Sequence, residues 1–211
     1  MGDAYDGALY CYSASRVAHS ELPSHAERLR IIEDAVRNIL YAIGEDPCRE
    51  GLVDTPTRVA RMYLNELTVG LGVDLATLLT ATFKEPHDQM VIVKDIAFHS
   101  LCEHHMVPYS GRAHVGYVPD GQVVGLSKLA RVVEMASKKL SIQERLTNEI
   151  ADAVMTALKP QGVIVVLDQC EHMCMTMRGI RKSGSTTTTS AIRGVFIENG
   201  PAREEFLTLI K

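Results

Sequence analysis

Apolar positions Leu29, Ile32, Val36, Ile39, Leu40 and Ile43 recur three or four residues apart, the period of one helix face, until Gly44 interrupts them. Ser24 and Glu27 ahead of this run form an S-x-x-E capping box, so ordered structure is expected to begin there. Thr55-Pro56 marks a second start, with Thr as N-cap, Pro at the first helical position, and Val59, Met62, Tyr63 and Leu67 on one face. The two make an N-terminal helical pair. From Met90 the texture changes. VIVKDIAFHS (91–100) and, after a Pro-Tyr-Ser-Gly turn, GRAHVGYVP (111–119) are rich in β-branched and alternating residues and predict strands. Helical spacing returns in GLSKLARVVEMASKKL (125–140), through Leu126, Leu129, Val132, Val133 and Ala136. It returns again after Ser141, through Leu146, Ile150, Val154 and Leu158, ended by Lys-Pro-Gln-Gly. GVIVVLDQCEHMCMTMRG (162–179) is strand-like, SAIRGVF (190–196) is a further strand, and PAREEFLTLIK closes the chain as a short helix. This order of helices, strands, helices and strands favours an α+β fold with an antiparallel sheet over a doubly wound parallel one. The threonine run 186–189 is the one low-complexity stretch, and no internal repeat is visible.

Composition narrows the class. The 211 residues are 46% hydrophobic and 23% charged, which excludes disordered, collagenous and disulfide-scaffold classes. Residues 1–24 carry Gly, Ser, Asp and Tyr without periodicity and are expected to be a flexible tail, with one domain over 25–211. Within it, 25–70 hold the helical pair and 90–211 the mixed core. A formal net charge of −4 offers no general attraction to nucleic acid or anionic membrane, so an anionic ligand needs a local basic cluster. No apolar run approaches the roughly 18 residues that span a bilayer. The start, MGDAYDGALYCYSAS, lacks the basic and apolar regions of a signal peptide, and Asp6 breaks a myristoylation pattern. Five cysteines, an odd number, suit a reducing compartment better than a disulfide framework, so a cytoplasmic location is expected.

Cys102-Glu103-His104-His105 sets a thiol and an imidazole three apart on a turn between two strands. Far downstream, Cys170, His172 and Cys174 fall on one face of an extended strand, because side chains alternate with period two. A structural zinc site usually has two close cysteine pairs, whereas Cys102, His105 and one downstream cysteine make three ligands and leave a position for water. Zinc lowers the pKa of such a water towards 7, a hydrolytic device. A lone buried cysteine or histidine is more often structural, but the coincidence of both spacings reverses that preference. Cys11 and Cys48 have no such neighbours and are read as structural. H-E-x-x-H, the Walker loop, a full G-x-G-x-x-G and the zinc-deaminase signature are absent.

Lys128 and Arg131 share a helix face with Ser127 near a helix start, where free N–H groups and the dipole favour anions. Arg178, Arg181 and Lys182 follow the downstream cluster, the last two read as a solvated rim. Ser141 and Glu144 match a capping box, yet the Glu144 carboxylate could equally accept two N–H donors of a heterocycle.

SLCEHH (100–105), GLSKLAR (125–131), QERLT (143–147) and HMCMTMRGIR (172–181) together resemble type I GTP cyclohydrolase. The likeness runs from about Thr55 to the end, including REEFLTLI (203–210). It implies a tunnelling (T-fold) unit, a four-stranded antiparallel sheet with two helices on one side, preceded by a helical pair. It also implies closure of such sheets from five subunits into a barrel, and a homodecamer of two rings with active sites between subunits. Cys102, His105 and Cys174 would hold zinc. His104 and His172 would donate and accept protons, and Ser127 would assist opening of the ribose. Glu144, with Gln143 beside it, would hold the guanine edge. Lys128, Arg131, Arg178 and, from a neighbouring subunit, Arg58 would bind the triphosphate. The implied reaction converts GTP to 7,8-dihydroneopterin triphosphate and formate, the first step of tetrahydrofolate or tetrahydrobiopterin synthesis, and a regulatory protein partner is compatible with it. Cys170 is expected to be a bystander. Two other classes stay open at this point: a nucleotide-binding zinc protein without turnover, and a related T-fold enzyme of the nitrile reductase kind, which lacks this Cys-His-Cys site.

Overall fold

The computed structural model describes residues 22–211. The expected tail therefore lies, up to residue 21 and including Cys11, outside the described residues. The chain divides into two compact units after Arg61. In the first, α1 (His25–Ala42) starts where the Ser24 hydroxyl accepts the Glu27 amide at 3.2 Å, one half of the expected capping box. Gly44 follows its end with φ +89°, a left-handed conformation that glycine adopts without a Cβ penalty. α2 (Thr55–Met62) has its only buried residues at Pro56 and Ala60. Tyr63 and Leu67, read as part of the same helix face, belong instead to a π-helical turn, Tyr63–Leu67.

The second unit continues through a 3₁₀ turn (Leu75–Leu78), β1 (Thr82–Lys84), β2 (Val91–Cys102), β3 (Pro108–Val118), β4 (Gln122–Val124) and α3 (Leu126–Ser137). Then come β5 (Leu140–Ser141), α4 (Gln143–Leu158), β6 (Gly162–His172), α5 (Met173–Thr176), β7 (Thr187–Gly194) and α6 (Gly200–Leu209). The α+β class holds. The main sheet has the order β5-β2-β3-β6-β7, with four long antiparallel strands and β5 added parallel to the end of β2 through Leu101↔Leu140 and Cys102↔Ser141. The sheet expected to have four strands thus has five, and β1 and β4 pair separately. β5 also removes the capping box expected at Ser141. Pairing draws that residue into a strand, Ile142 becomes the cap of α4 without a side-chain bond, and the Ser141 hydroxyl donates to the Ile142 carbonyl.

Two β-bulges set which residues face inward. β2 carries an extra residue between Val93 and Ile96, and β6 one between Leu167 and Cys170. Asp95 (φ 60°) and Gln169 (φ 52°) sit there in the left-handed region. β3 has no extra residue, so Tyr109, Ala113, Val115 and Tyr117 keep strict alternation towards the core. In β6 the inward set changes from odd to even numbers across the bulge. Val163, Val165 and Leu167 precede it and Cys170 follows it in the same core. β2 does likewise, with Val91 and Val93 before its bulge and Ile96, Phe98 and Cys102 after it.

α3 and α4 cover that inner face with Leu129, Val132, Val133, Leu146, Ile150, Val154 and Leu158, each at most 2% exposed. Leu126, read with this stripe, is 60% exposed on the first turn of α3. α6 lies against the opposite face, where Phe206 and Phe196 pack with Ile164 and Val166. A Cβ on Gly116 would stand 2.7 Å from the Phe206 ring, so the absence of a side chain in β3 is what admits the ring. Phe206 is fully buried. Phe206→Ala is therefore expected to lower unfolding free energy in urea by about 3–5 kcal/mol, and a loss below about 1 kcal/mol would mean that α6 is not anchored by this ring.

Candidate metal centre

The hairpin between β2 and β3 is built so that Cys102 and His105 meet. Cys102 donates its amide to the Val107 carbonyl at 2.9 Å and accepts the Met106 amide at 2.8 Å, while Met106 takes φ +56° to turn the chain. Across the sheet, β6 ends at His172 and the chain winds into the single turn α5, which carries Cys174. Here the structure departs from the expected strand through 179: Cys174 is on a helical turn, so it does not share a strand face with Cys170 and His172. That turn brings its sulfur to the hairpin. The donor atoms of Cys102, His105 and Cys174 lie within 4.8 Å of one another, with Cys102 Sγ 4.0 Å from His105 Nδ1. Burial and the facing Cys102 thiol both push the Cys174 thiol above its ordinary range. Arg178 adds positive charge, its Nη1 donating to His105 Nε2 at 2.8 Å.

Cys170 is excluded from this group. It is fully buried in the core, donates its thiol to the Asp168 carbonyl at 3.4 Å, and is pushed up to about 12 chiefly by desolvation. Gly111 lies against it so closely that a Cβ there would be 2.5 Å from its sulfur. Cys48, read as structural, is exposed.

His104 flanks the group from the solvent side, its Nδ1 3.9 Å from Cys102 Sγ and its ring edge-on to His105. His172 is held quite differently. Its ring stacks on Tyr109, its cross-strand partner, at 4.6 Å and 3°. Its Nε2 lies 2.7 Å from Gln143 Oε1. Burial holds this imidazole below the usual histidine range, opposed by the Glu144 carboxylate. Glu144 is exposed on the first turn of α4, next to Gln143, whose side chain is buried. Glu103 forms an ion pair with Arg145, tying the hairpin to that same turn. Gln143 Nε2 in turn faces Leu167 O at 3.4 Å, Thr187 O at 3.3 Å and Thr189 Oγ1 at 3.0 Å.

Ser127, Lys128 and Arg131 lie on the first two turns of α3, whose cap Gly125 supplies no side-chain acceptor. Among the described residues, no hydrogen bond or ion pair joins them to the Cys-His-Cys group. Arg58 belongs to the first unit and pairs with Asp54 at 3.2 Å. Arg181 and Lys182 are exposed, as a solvated rim requires. Tyr109, Thr147, Thr189 and the Glu103–Arg145 pair were not singled out by sequence. Their relation to the site depends on tertiary placement: Tyr109 on strand register, Thr147 and Arg145 on the packing of α4, and Thr189 on which residue of the threonine run faces inward.

Residues 32–211 match the GTP cyclohydrolase I family. The GTP cyclohydrolase 1 of Bacillus pumilus is 56% identical over 182 residues, covering 86% of this chain and 95% of that protein. That of Bacillus subtilis is 57% identical over 181 residues, 85% and 94% of the two chains. That of Mycobacterium tuberculosis is 54% identical over 194 residues, 89% and 95%. Identity above one half across nearly the full length of these relatives, with a family match that runs to the last residue, makes this chain a member of the GTP cyclohydrolase I family.

Proposed function

We propose that the protein is a zinc-dependent GTP cyclohydrolase that converts GTP to 7,8-dihydroneopterin triphosphate with release of formate, feeding folate or tetrahydrobiopterin synthesis in the cytoplasm. The observation that carries the reading is the convergence of Cys102, His105 and Cys174 within 4.8 Å in a chain of this family. The donor set fits zinc. Two thiolates and an imidazole bind it at about 2.0–2.3 Å, which puts tetrahedral donors roughly 3.5 Å apart, a contraction of about half an ångström for Cys102 and His105 and up to about 1.3 Å for the widest pair. Bound there, zinc supplies Lewis acidity that activates water near neutral pH.

The chain's own groups do the rest. His172, half-buried and fixed between Tyr109 and Gln143, offers Nδ1 as an oriented site for holding or releasing a proton as the imidazole portion of guanine opens. His104, exposed beside Cys102, carries protons on the solvent side. Glu144 accepts the N–H edge of guanine, and Ser127 assists the opening of the ribose. Lys128, Arg131, Arg178 and Arg58 hold the triphosphate, the guanidinium forks suiting bidentate contact with phosphate oxygens. Arg58 reaches the site from a neighbouring subunit in a homodecamer of two five-membered rings. The exposed apolar residues Ile31, Ile39 and Ile43 and the outer edge of β7, which has no strand partner among the described residues, support an assembly.

Incubation of the purified protein with GTP is expected to yield formate and the pterin together, and a zinc chelator is expected to abolish both. Turnover that survives complete metal removal would reject the zinc reading. No turnover with zinc bound would make this a nucleotide-binding protein. Cys174→Ser is expected to lose bound metal and activity, whereas Cys170→Ser is expected to keep stoichiometric metal. The reverse pattern would reassign the ligands. Glu144→Ala should lower the preference for GTP over ITP by roughly ten- to a hundredfold, the weight of one charge-assisted hydrogen bond, and an unchanged ratio would remove Glu144 from the guanine site.

A further inference from the structure

The polar groups behind His172 form a chain in which each donor and acceptor follows from its neighbour. The Thr147 hydroxyl donates its single hydrogen to the Gln143 carbonyl at 2.7 Å. Thr147 Oγ1 and Thr189 Oγ1 are 2.7 Å apart. With Thr147's hydrogen engaged, Thr189 must donate to Thr147, and so Thr189 can only accept from Gln143. The Leu167 and Thr187 carbonyls beside the same amide nitrogen are also acceptors only. All three neighbours therefore demand the NH2 end of the Gln143 amide, which turns its oxygen to His172. Against that oxygen His172 Nε2 must carry hydrogen. Nδ1 is left as the nitrogen free of the network. These groups come from three elements: Thr147 and Gln143 from α4, Thr189 and Thr187 from β7, Leu167 and His172 from β6. The amide is 2% exposed, so water cannot readily replace a missing partner.

We infer that Thr189 and Thr147 are positioning residues for the reaction: acting through Gln143, they fix the orientation and tautomer of the His172 ring so that Nδ1 faces the reacting group. Gln143 is thereby assigned to the ring rather than to a substrate contact of its own, since both ends of its amide are engaged within the chain. The inference rests on the reading of His172 as the group that carries a proton during the reaction.

Three variants test it on the full-length, zinc-loaded protein: Gln143→Leu, which removes the acceptor from Nε2; Thr189→Val, which removes the hydroxyl at nearly constant volume; and Thr189→Ser, which restores it. Gln143→Leu and Thr189→Val are expected to lower kcat for formate release by roughly five- to tenfold, about the weight of one hydrogen bond. KM for GTP and zinc content are expected to stay within twofold of the parent, and Thr189→Ser to recover most of kcat. If Gln143→Leu does not fold, the Thr189 pair decides alone. A kcat within twofold of the parent in Thr189→Val, no recovery in Thr189→Ser, or a rise in KM at unchanged kcat in Gln143→Leu would overturn the inference. His172→Asn separates this from the reading beneath it. Full formate release in His172→Asn rejects the proton-carrying role itself. An inactive His172→Asn with an unaffected Thr189→Val rejects only the positioning chain.

Discussion

The facing of Cys102 and His172 depends on the two extra residues in β2 and β6. A strand's side chains alternate with period two, so a single inserted residue transfers all that follows to the other face. Without the bulge at Gln169, a strand that buries Val163, Val165 and Leu167 would turn Cys170 and His172 away from the helices and from Tyr109. Without the one near Asp95, Cys102 would leave the inner face. β3, with no insertion, is the ruler against which both are set, and the pair Tyr109↔His172 is where the corrected registers meet. The hairpin after β2 and the turn after β6 then have only one way to present their ligands, towards each other.

The site that results has a rigid side and an open side. On the rigid side, a buried amide joined to three strands and helices locks His172, because each unsatisfied polar atom there would forfeit hydration it could not recover. On the open side, His104, His105 and Arg178 are exposed and held mainly by short turns. Such turns can draw together by the ångström or so that metal coordination asks, whereas the packed side does not. The Glu103–Arg145 ion pair is the link between the two, tying the ligand hairpin to the turn of α4 that bears Gln143 and Glu144.

Helix periodicity located the starts of α3 and α4 within a residue or two and the end of α4 at Leu158, because each buries a continuous apolar stripe. α3 stops at Ser137, three residues short of the expected Leu140, which β5 claims. Cys102 and His105 were legible too, since a three-residue separation on a turn needs no tertiary information. The spacing leaves open which downstream cysteine joins them, and Cys174 is singled out only by the family resemblance. Alternation along an unbroken strand would put it beside His172, but β6 ends there and a helical turn delivers the sulfur. The capping box at Ser141 failed because β5 pairing with Cys102 claims that residue's backbone, a long-range demand that overrides a local motif. The threonine run 186–189 is the instructive omission. Identical side chains conceal that Thr188 faces outward to Asp168 while Thr189 faces inward to Gln143, a difference that exists only once β7 is placed beside β6.

The asymmetry between the two histidines also weighs on what kind of protein this is. A module that only bound a nucleotide would need charge for the phosphates and an acceptor for the base, and Arg178 and Glu144 could serve both ends. It would gain little from holding an imidazole stacked on a tyrosine below its ordinary range by burial. Proton transfer gains more: it requires a lone pair at a defined place at the moment a bond breaks. Ordering a buried network across α4, β6 and β7 for that single ring is therefore the mark of a chain shaped for turnover, and it explains why the most elaborately hydrogen-bonded side chain here is Gln143, a residue with no charge and no reactivity of its own.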